Sequence, residues 1–478
     1  MTDVTNATPL GSGPDPIDVI ARWPEDLPLA ALVSGRDGSS FSRWSILSTP
    51  CGTRSCRGDE PDLAGTLDRL ATDPDLPPAT DPDVPPFRGG RLILLDYELG
   101  GILEPAAGTG AGTAPGRPVA QSLDCPVALV HDRVRDAWWV VGDLQDADRL
   151  IGLLDLGPAR GSRPVVSPLE PELDDRSYGR LVERTVEYIH SGDVFQANIT
   201  RPFAASCWLE SRSSRRRLAA DLLRASGAWF GGVLEVEGGC GDRTIVSLSP
   251  ELFLEFDPVS RSIRSRPIKG TLPGGADPAD LVGSSKDAAE LAMIVDLMRN
   301  DLGRISDPGS VRVEEPRVIE HHPGVIHGVG TVRGTLRAGT GFGEILKSTF
   351  PPGSITGAPK IRAMQIIEEF EQSPRGAYCG AIGYSSRCGR MALDVSIRTL
   401  ELERRPDRAG GYGGHSLRYG AGCGIVADSR PELEVQESRT KTALLARFIE
   451  ECCDGTVDST GAQEPVSPDS GERAWASS

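Results

Sequence analysis

Lys286-Asp-Ala-Ala-Glu-Leu-Ala-Met-Ile-Val-Asp-Leu-Met-Arg-Asn-Asp-Leu-Gly303 decides how the rest of this chain is read. Its apolar spacing predicts a long helix from about Asp287 to Leu302. Asp287 and Glu290, three apart, share one face of that helix. Acids near a helix N-terminus are favourable in their own right, so the pair alone need not be functional. Upstream, β-type runs at 231–236, 244–248, 251–256 and 262–268 follow one another closely. Downstream, a helix over 359–371 with Pro359 in its first turn precedes strands at 379–385, 391–402 and 417–426 and a last helix at 431–450. Strands first adjacent and then interrupted by helices predict an α+β fold.

The N-terminal part carries short strands at 91–96, 127–130 and 138–141. A helix begins near Ser177, with Tyr178, Leu181, Val182, Thr185 and Ile189 on one face and Gly192 ending it. Residues 160–174 have a linker's composition, which divides an N-terminal part, 17–172, from a C-terminal part, 173–453. Residues 1–16 and 454–478 are rich in Gly, Pro, Ser, Thr and acids and read as disordered tails. The stretches 72–88 and 105–117 read as Pro- or Gly-rich loops.

The 478 residues are 38% hydrophobic and 25% charged, as in soluble globular proteins, with a formal net charge of −17. Such an acidic chain lacks the basic face that nucleic acid requires. No apolar run is long enough to span a membrane, and Met1–Pro16 has no signal-peptide pattern, so a cytoplasmic location is expected. The ten cysteines form no C-x-x-C pair and no zinc-type cluster, and free thiols are expected.

Three further groups could carry chemistry. Glu434, Glu437 and Lys441 fall on one stripe of the last helix, either a solvated charged face or, with Asp287 and Glu290, a cage for a hard cation such as Mg2+. Lys269, in Ser265-Arg-Pro-Ile-Lys-Gly-Thr-Leu-Pro273, lies beside a glycine that permits close approach of a ligand. It is a candidate nucleophile or base, although most lone lysines are simply solvated. Two glycine-rich segments, Pro351-Pro-Gly-Ser-Ile-Thr-Gly-Ala-Pro-Lys360 and Tyr419-Gly-Ala-Gly-Cys-Gly424, could turn backbone N–H groups toward an anion. The second is followed by a β run and therefore fails as a dinucleotide fingerprint.

Taken together, these segments resemble the chorismate-utilising enzyme family over nearly all of 175–450. The resemblance rests on 286–303, Gly353-Ser-Ile-Thr-Gly-Ala-Pro-Lys360, Asp394-Val-Ser-Ile-Arg-Thr399 and Gly422-Cys-Gly-Ile-Val-Ala-Asp-Ser429, in family order. Pro-Ile-Lys-Gly-Thr, with Lys269, is typical of the aminodeoxychorismate synthase component I branch, whereas anthranilate synthases usually have alanine there. Ser191-Gly-Asp-Val-Phe-Gln-Ala-Asn-Ile199 and the Ser249-Pro-Glu251 corner look like the same branch.

The resemblance implies an α+β fold of large antiparallel or mixed sheets packed face to face with helices outside. It implies chorismate as substrate and Mg2+ on Glu290 and Glu437, with Asp287 and Glu434 in support. Thr271, Arg398, Gly422, Gly424 and Lys441 match substrate-binding positions. Lys269 matches the nucleophile, Glu251 an acid/base and His327 a histidine that helps a hydroxyl leave. His327 is followed by Gly328-Val-Gly330, where the family usually has a larger residue and a serine. Leu32-Val-Ser-Gly35 with Arg43-Trp-Ser-Ile46 echoes the family's effector motif, but Val33 replaces its usual glutamate, so tryptophan feedback does not carry over. No glutaminase elbow is recognisable, so ammonia is expected from solution or from a separate glutaminase subunit in a heterodimer. Anthranilate synthase component I is the alternative, and isochorismate or salicylate synthase the third; a non-catalytic chorismate-binding subunit belongs to a different class.

Overall fold

A computed structural model describes residues 6–35, 40–78, 80–108, 116–144, 147–157, 164–236, 242–406 and 412–454. Among these, two sheets of thirteen and ten strands form, paired antiparallel throughout. Their inner faces meet in one apolar layer. Ala30, Ile46, Val130 and Leu234 of the larger sheet pack there with Leu92, Leu94, Leu123 and Ile382 of the smaller.

Strand periodicity explains why both faces of these strands are apolar. In Gly90–Leu95, Leu92 and Leu94 face the inter-sheet layer, while Ile93 and Leu95 turn outward to a second core beneath the Ser285–Gly303 helix. Val127–Asp132 does the same in the larger sheet: Ala128 and Val130 point inward, and Val127 and Leu129 join a core under the helices Pro16–Arg22 and Arg212–Ser226. Burying each such leucine stabilises the fold by about 2 kcal/mol, and Leu94→Asp would place an unpaired charge between the sheets.

Both sheets take strands from either side of residue 172. Ala30–Val33 pairs with Phe230–Val236, and Gly90–Leu95 pairs with Ala381–Ser386. The 160–174 stretch is less of a linker than its composition suggests, because Val165–Val166 and Glu170–Pro171 both pair with Gln196–Trp208. Edge pairing needs only backbone groups, which composition does not report.

The same reason corrects the expected N-terminal tail. Ala7–Gly11 is an edge strand on Ala137–Gly142, and Asp15 caps the Pro16–Arg22 helix. Of the expected tail 454–478, only Asp454, the end of the helix Ala443–Asp454, lies within the described residues. The expected strand 391–402 is two: Met391–Asp394 belongs to the smaller sheet and Thr399–Pro406 to the larger. Arg398 makes the crossing with φ +52, a left-handed value uncommon outside glycine. The last helix divides into Pro431–Thr440 and Ala443–Asp454. None of the described helices is long and apolar enough to cross a membrane.

Candidate active site

The site forms where Ile268–Pro273, Gln196–Trp208, Tyr412–Ile425 and the 353–358 loop meet two helices, Ser285–Gly303 and Pro431–Thr440. Ile268–Pro273 pairs with Val325–Thr335, but the register slips between Ile268 and Thr271. Gly270 sits in that slip at φ +83, where a Cβ would come within 3.0 Å of Asp287 and 2.7 Å of Leu281. Such a bulge frees one residue from the ladder and re-aims it. The freed residue is Lys269.

Lys269 donates to a carbonyl rather than to a carboxylate: Nζ lies 3.2 Å from the Ser354 oxygen. Across the site, a Cβ on Gly424 would lie 3.3 Å from Nζ. Burial, the leading cause, lowers the Lys269 pKa, and Lys441 adds to this; Glu290, Glu251 and Glu437 oppose without reversing it. Glu251, at the corner before Leu252–Asp257, is raised by burial to about 7, with the Ser354 hydroxyl, then Lys269 and the Ile268 N–H, only partly offsetting.

Thr271 and His327 face each other across the ladder, and their Oγ1 and Nδ1 are 2.8 Å apart. Burial, then the neighbouring His322 and Arg398, lowers the His327 pKa to about 3, so the ring is neutral. Its Nε2 is buried with no hydrogen bond among the described residues. In the tautomer in which Thr271 donates to Nδ1, the proton sits on Nε2, which is then a neutral donor. Arg398, at the junction between the sheets, acts on His327 and on Tyr419.

Glu290 and Glu437 face a common space, because Lys269 and Lys286 act on both. Burial raises the Glu290 pKa, with Asp287 and Glu437 contributing. Burial opposes the charge on Glu437, yet Lys441, 2.8 Å away, and Lys269 pull its pKa down. The Glu437 and Lys441 side chains keep 51% and 41% of their surface open to solvent. Glu434 is buried and accepts from the Ser429 hydroxyl at 2.7 Å. Cys423, Glu434 and Glu437 present ligand atoms within 4.8 Å of one another. That cluster already has a cation: the Lys441 ammonium bridges Glu437 and the Gly422 carbonyl, 2.7 Å away. Glu290, Asp287 and Glu437 are hard oxygen donors of the kind Mg2+ takes, and Asp287 and Glu437 both disfavour charge on Glu290, but among the described residues these three do not come within 4.8 Å of one another.

Gly422 and Gly424 lie inside the strand Tyr412–Ile425, not in a loop after it. Their partners are Thr200 and Asn198, whose N–H groups turn away from this strand, to Glu371 and to the Thr356 carbonyl, each at 2.8 Å. In an antiparallel pair, facing residues of this kind both point outward. The N–H and C=O groups of Gly422 and Gly424 therefore face the site, as Lys441 on the Gly422 carbonyl attests.

Residues 59–447 match the family described as chorismate binding enzyme. The chain belongs to this family. Aminodeoxychorismate synthase component 1 of Klebsiella aerogenes is 38% identical over 374 residues, covering 76% of this chain and 78% of that protein. Its counterpart in Escherichia coli K12 is 34% identical over 448 residues, 89% of this chain and 94% of that one. Anthranilate synthase component 1 of Thermus thermophilus is 30% identical over 468 residues, 91% and 95%. Among solved structures, anthranilate synthase component I of Streptococcus pneumoniae TIGR4 superposes with a TM-score of 0.70 at 26% identity, covering 84% of this chain and 92% of that one.

Two side chains beside these site residues carry no mark in the sequence. Gln196 is 1% exposed, its Oε1 makes no hydrogen bond among the described residues, and its Nε2 lies 2.0 Å from where a Gly424 Cβ would be. An isolated glutamine in a β run carries no sequence signal. The Tyr378 ring covers Gly420, 2.1 Å from a Cβ there, and so walls the same face of the strand. Val33, Ser34, Arg43 and Trp44, from the segments that echo an effector motif, line a separate cavity of about 290 Å3 with Trp229 and Tyr384.

Proposed function

We propose that this chain is an aminodeoxychorismate synthase component I, converting chorismate and ammonia to 4-amino-4-deoxychorismate. One observation carries the reading. Lys269 is an amine shifted toward its neutral form, held by a carbonyl and fronted by a glycine strand with outward N–H groups.

Glu290 and Glu437, with Asp287 and Glu434 in support, would hold Mg2+, which supplies Lewis-acid charge for the substrate's ring carboxylate. Arg398, Thr271, Lys441 and the N–H groups of Gly422 and Gly424 bind and orient the dianion. Lys269 Nζ bonds to ring carbon C2, both conjugated ring double bonds shift by one position, and the C4–O bond breaks. His327 Nε2–H hydrogen-bonds the departing oxygen, and Glu251, holding its proton to about pH 7, is the group able to release one so that water leaves. Ammonia then bonds to C4, both double bonds shift back, and the C2–Nζ bond breaks, returning Lys269 as an amine once the added nitrogen loses a proton. Water leaves and ammonia enters, both at C4.

Ammonia comes from glutamine through a separate glutaminase subunit. The relatives named "component 1" support such a partner. The Thermus anthranilate synthase relative supports the second reading, amination at C2; Lys269 is the feature against it. Product mass and absorbance after incubation with chorismate, Mg2+ and ammonium separate the two. 4-Amino-4-deoxychorismate supports the proposal, and anthranilate with pyruvate overturns it.

A further inference from the structure

The 353–358 loop, whose Ser354 carbonyl receives Lys269, is held from behind by one arginine. Arg375 is 7% exposed, and four of its five guanidinium N–H groups donate to protein acceptors. Nε and Nη2 make a fork with the Glu371 carboxylate, each at 2.7 Å. Nη1 donates to the Ile355 carbonyl at 3.0 Å and Nη2 to the Asn198 carbonyl at 2.8 Å. The guanidinium also lies 4.4 Å over the Tyr97 ring. Its backbone is pinned in turn, since the Arg375 N–H donates to Glu98 at 2.7 Å.

The two carbonyls gripped this way belong to the two sides of the site. Ile355 directly follows Ser354, and Asn198 lies two residues beyond Gln196. Asn198 N–H returns a bond to the Thr356 carbonyl, so loop and strand are locked in both directions. The loop's far end is anchored separately, by Lys360 on Asp301 at 2.6 Å and on the Thr349 carbonyl at 2.8 Å. An amine that donates one N–H to a fixed carbonyl has its remaining directions limited, including that of its lone pair. Displacing that carbonyl by about 1 Å is enough to cost about a hundredfold in rate.

We propose that Arg375, buttressed by Glu371, is a positioning residue that fixes the Ser354 carbonyl and thereby aims the Lys269 amine at the ring. The inference rests on the reading of Lys269 as the reacting group. Arg→Lys removes the fork while keeping the charge, and Glu371→Gln removes the buttress if Arg375→Lys does not fold.

The test measures kcat and KM for chorismate with saturating ammonium and Mg2+, on full-length chain, well below the unfolding midpoint of each variant. Arg375→Lys and Glu371→Gln are expected to lower kcat about tenfold or more while KM stays within about twofold. Slower formation of the chorismate adduct on Lys269, read by mass without ammonia, is expected alongside. The inference is overturned if folded variants keep kcat within about twofold of wild type, or if the loss appears in KM instead. If wild type itself forms no adduct, the nucleophile reading fails and this inference falls with it, whereas an adduct on wild-type Lys269 with kcat unchanged in the folded variants overturns the positioning role alone.

Discussion

Lys269 and Glu251 are both moved toward their neutral forms, with burial the leading cause for each. For Glu251 this has a consequence for stability. Its folded pKa, about 7, lies above the ordinary 4.5, so the folded chain holds a proton that the unfolded chain has released. The stability this confers is complete below about pH 4.5 and is lost as pH rises through about 7, amounting to at most about 3 kcal/mol. Glu251→Gln cannot titrate there. Comparing unfolding midpoints at pH 5.5 and pH 8, the variant should lose less stability than wild type across that interval; an equal loss would show that Glu251 keeps an ordinary pKa. Lys269 was legible in the sequence through Pro-Ile-Lys-Gly-Thr, but its environment was not. The Ser354 carbonyl and Gly424 lie 85 and 155 residues away, brought in by the sheets and the loop.

At the scale of elements, the glycine strand and the two acidic helices make separable demands. A Cβ on Gly422 would lie 2.6 Å from the Ile199 backbone oxygen, while one on Gly424 would meet the movable ends of Gln196 and Lys269. Gly422→Ala should therefore lower the unfolding midpoint, because backbone cannot step aside. Gly424→Ala should keep the fold but lose most turnover, and wild-type kcat in that variant would contradict its placement beside Lys269. Glu290→Gln or Glu437→Gln should nearly abolish turnover and sharply raise the Mg2+ needed for whatever remains. Turnover that persists in excess chelator would refute a divalent cation at these carboxylates. Helix and strand positions in 230–303 were readable because the periodicity is strong. What was not readable were the breaks at Arg398 and near Lys441, where the chain changes sheet or helix without a glycine or proline to mark it. Gly422 and Gly424 fall within the expected strand 417–426, but composition cannot tell which amides of a strand face a ligand.

Across the whole molecule, strands before residue 172 complete both sheets, so the site rests on a scaffold that the N-terminal segment helps to build. Periodicity gave part of the strand set, missing among others Gln196–Trp208, Arg312–His322 and Val325–Thr335, and it gave no partners, since antiparallel pairing over such distances leaves no local mark in sequence. The purified chain should use ammonium salts directly and glutamine only with an added glutaminase subunit; glutamine-dependent turnover by the chain alone would contradict that. The reaction itself is tested most directly by quenching wild-type chain with chorismate and Mg2+ in the absence of ammonia, then mapping its peptides by mass. A chorismate-derived adduct with loss of water, confined to the peptide holding Lys269 and discharged to 4-amino-4-deoxychorismate when ammonium is added, is the expected result. An unmodified Lys269, together with a Lys269→Ala variant that still aminates C4 at the wild-type rate, would contradict it.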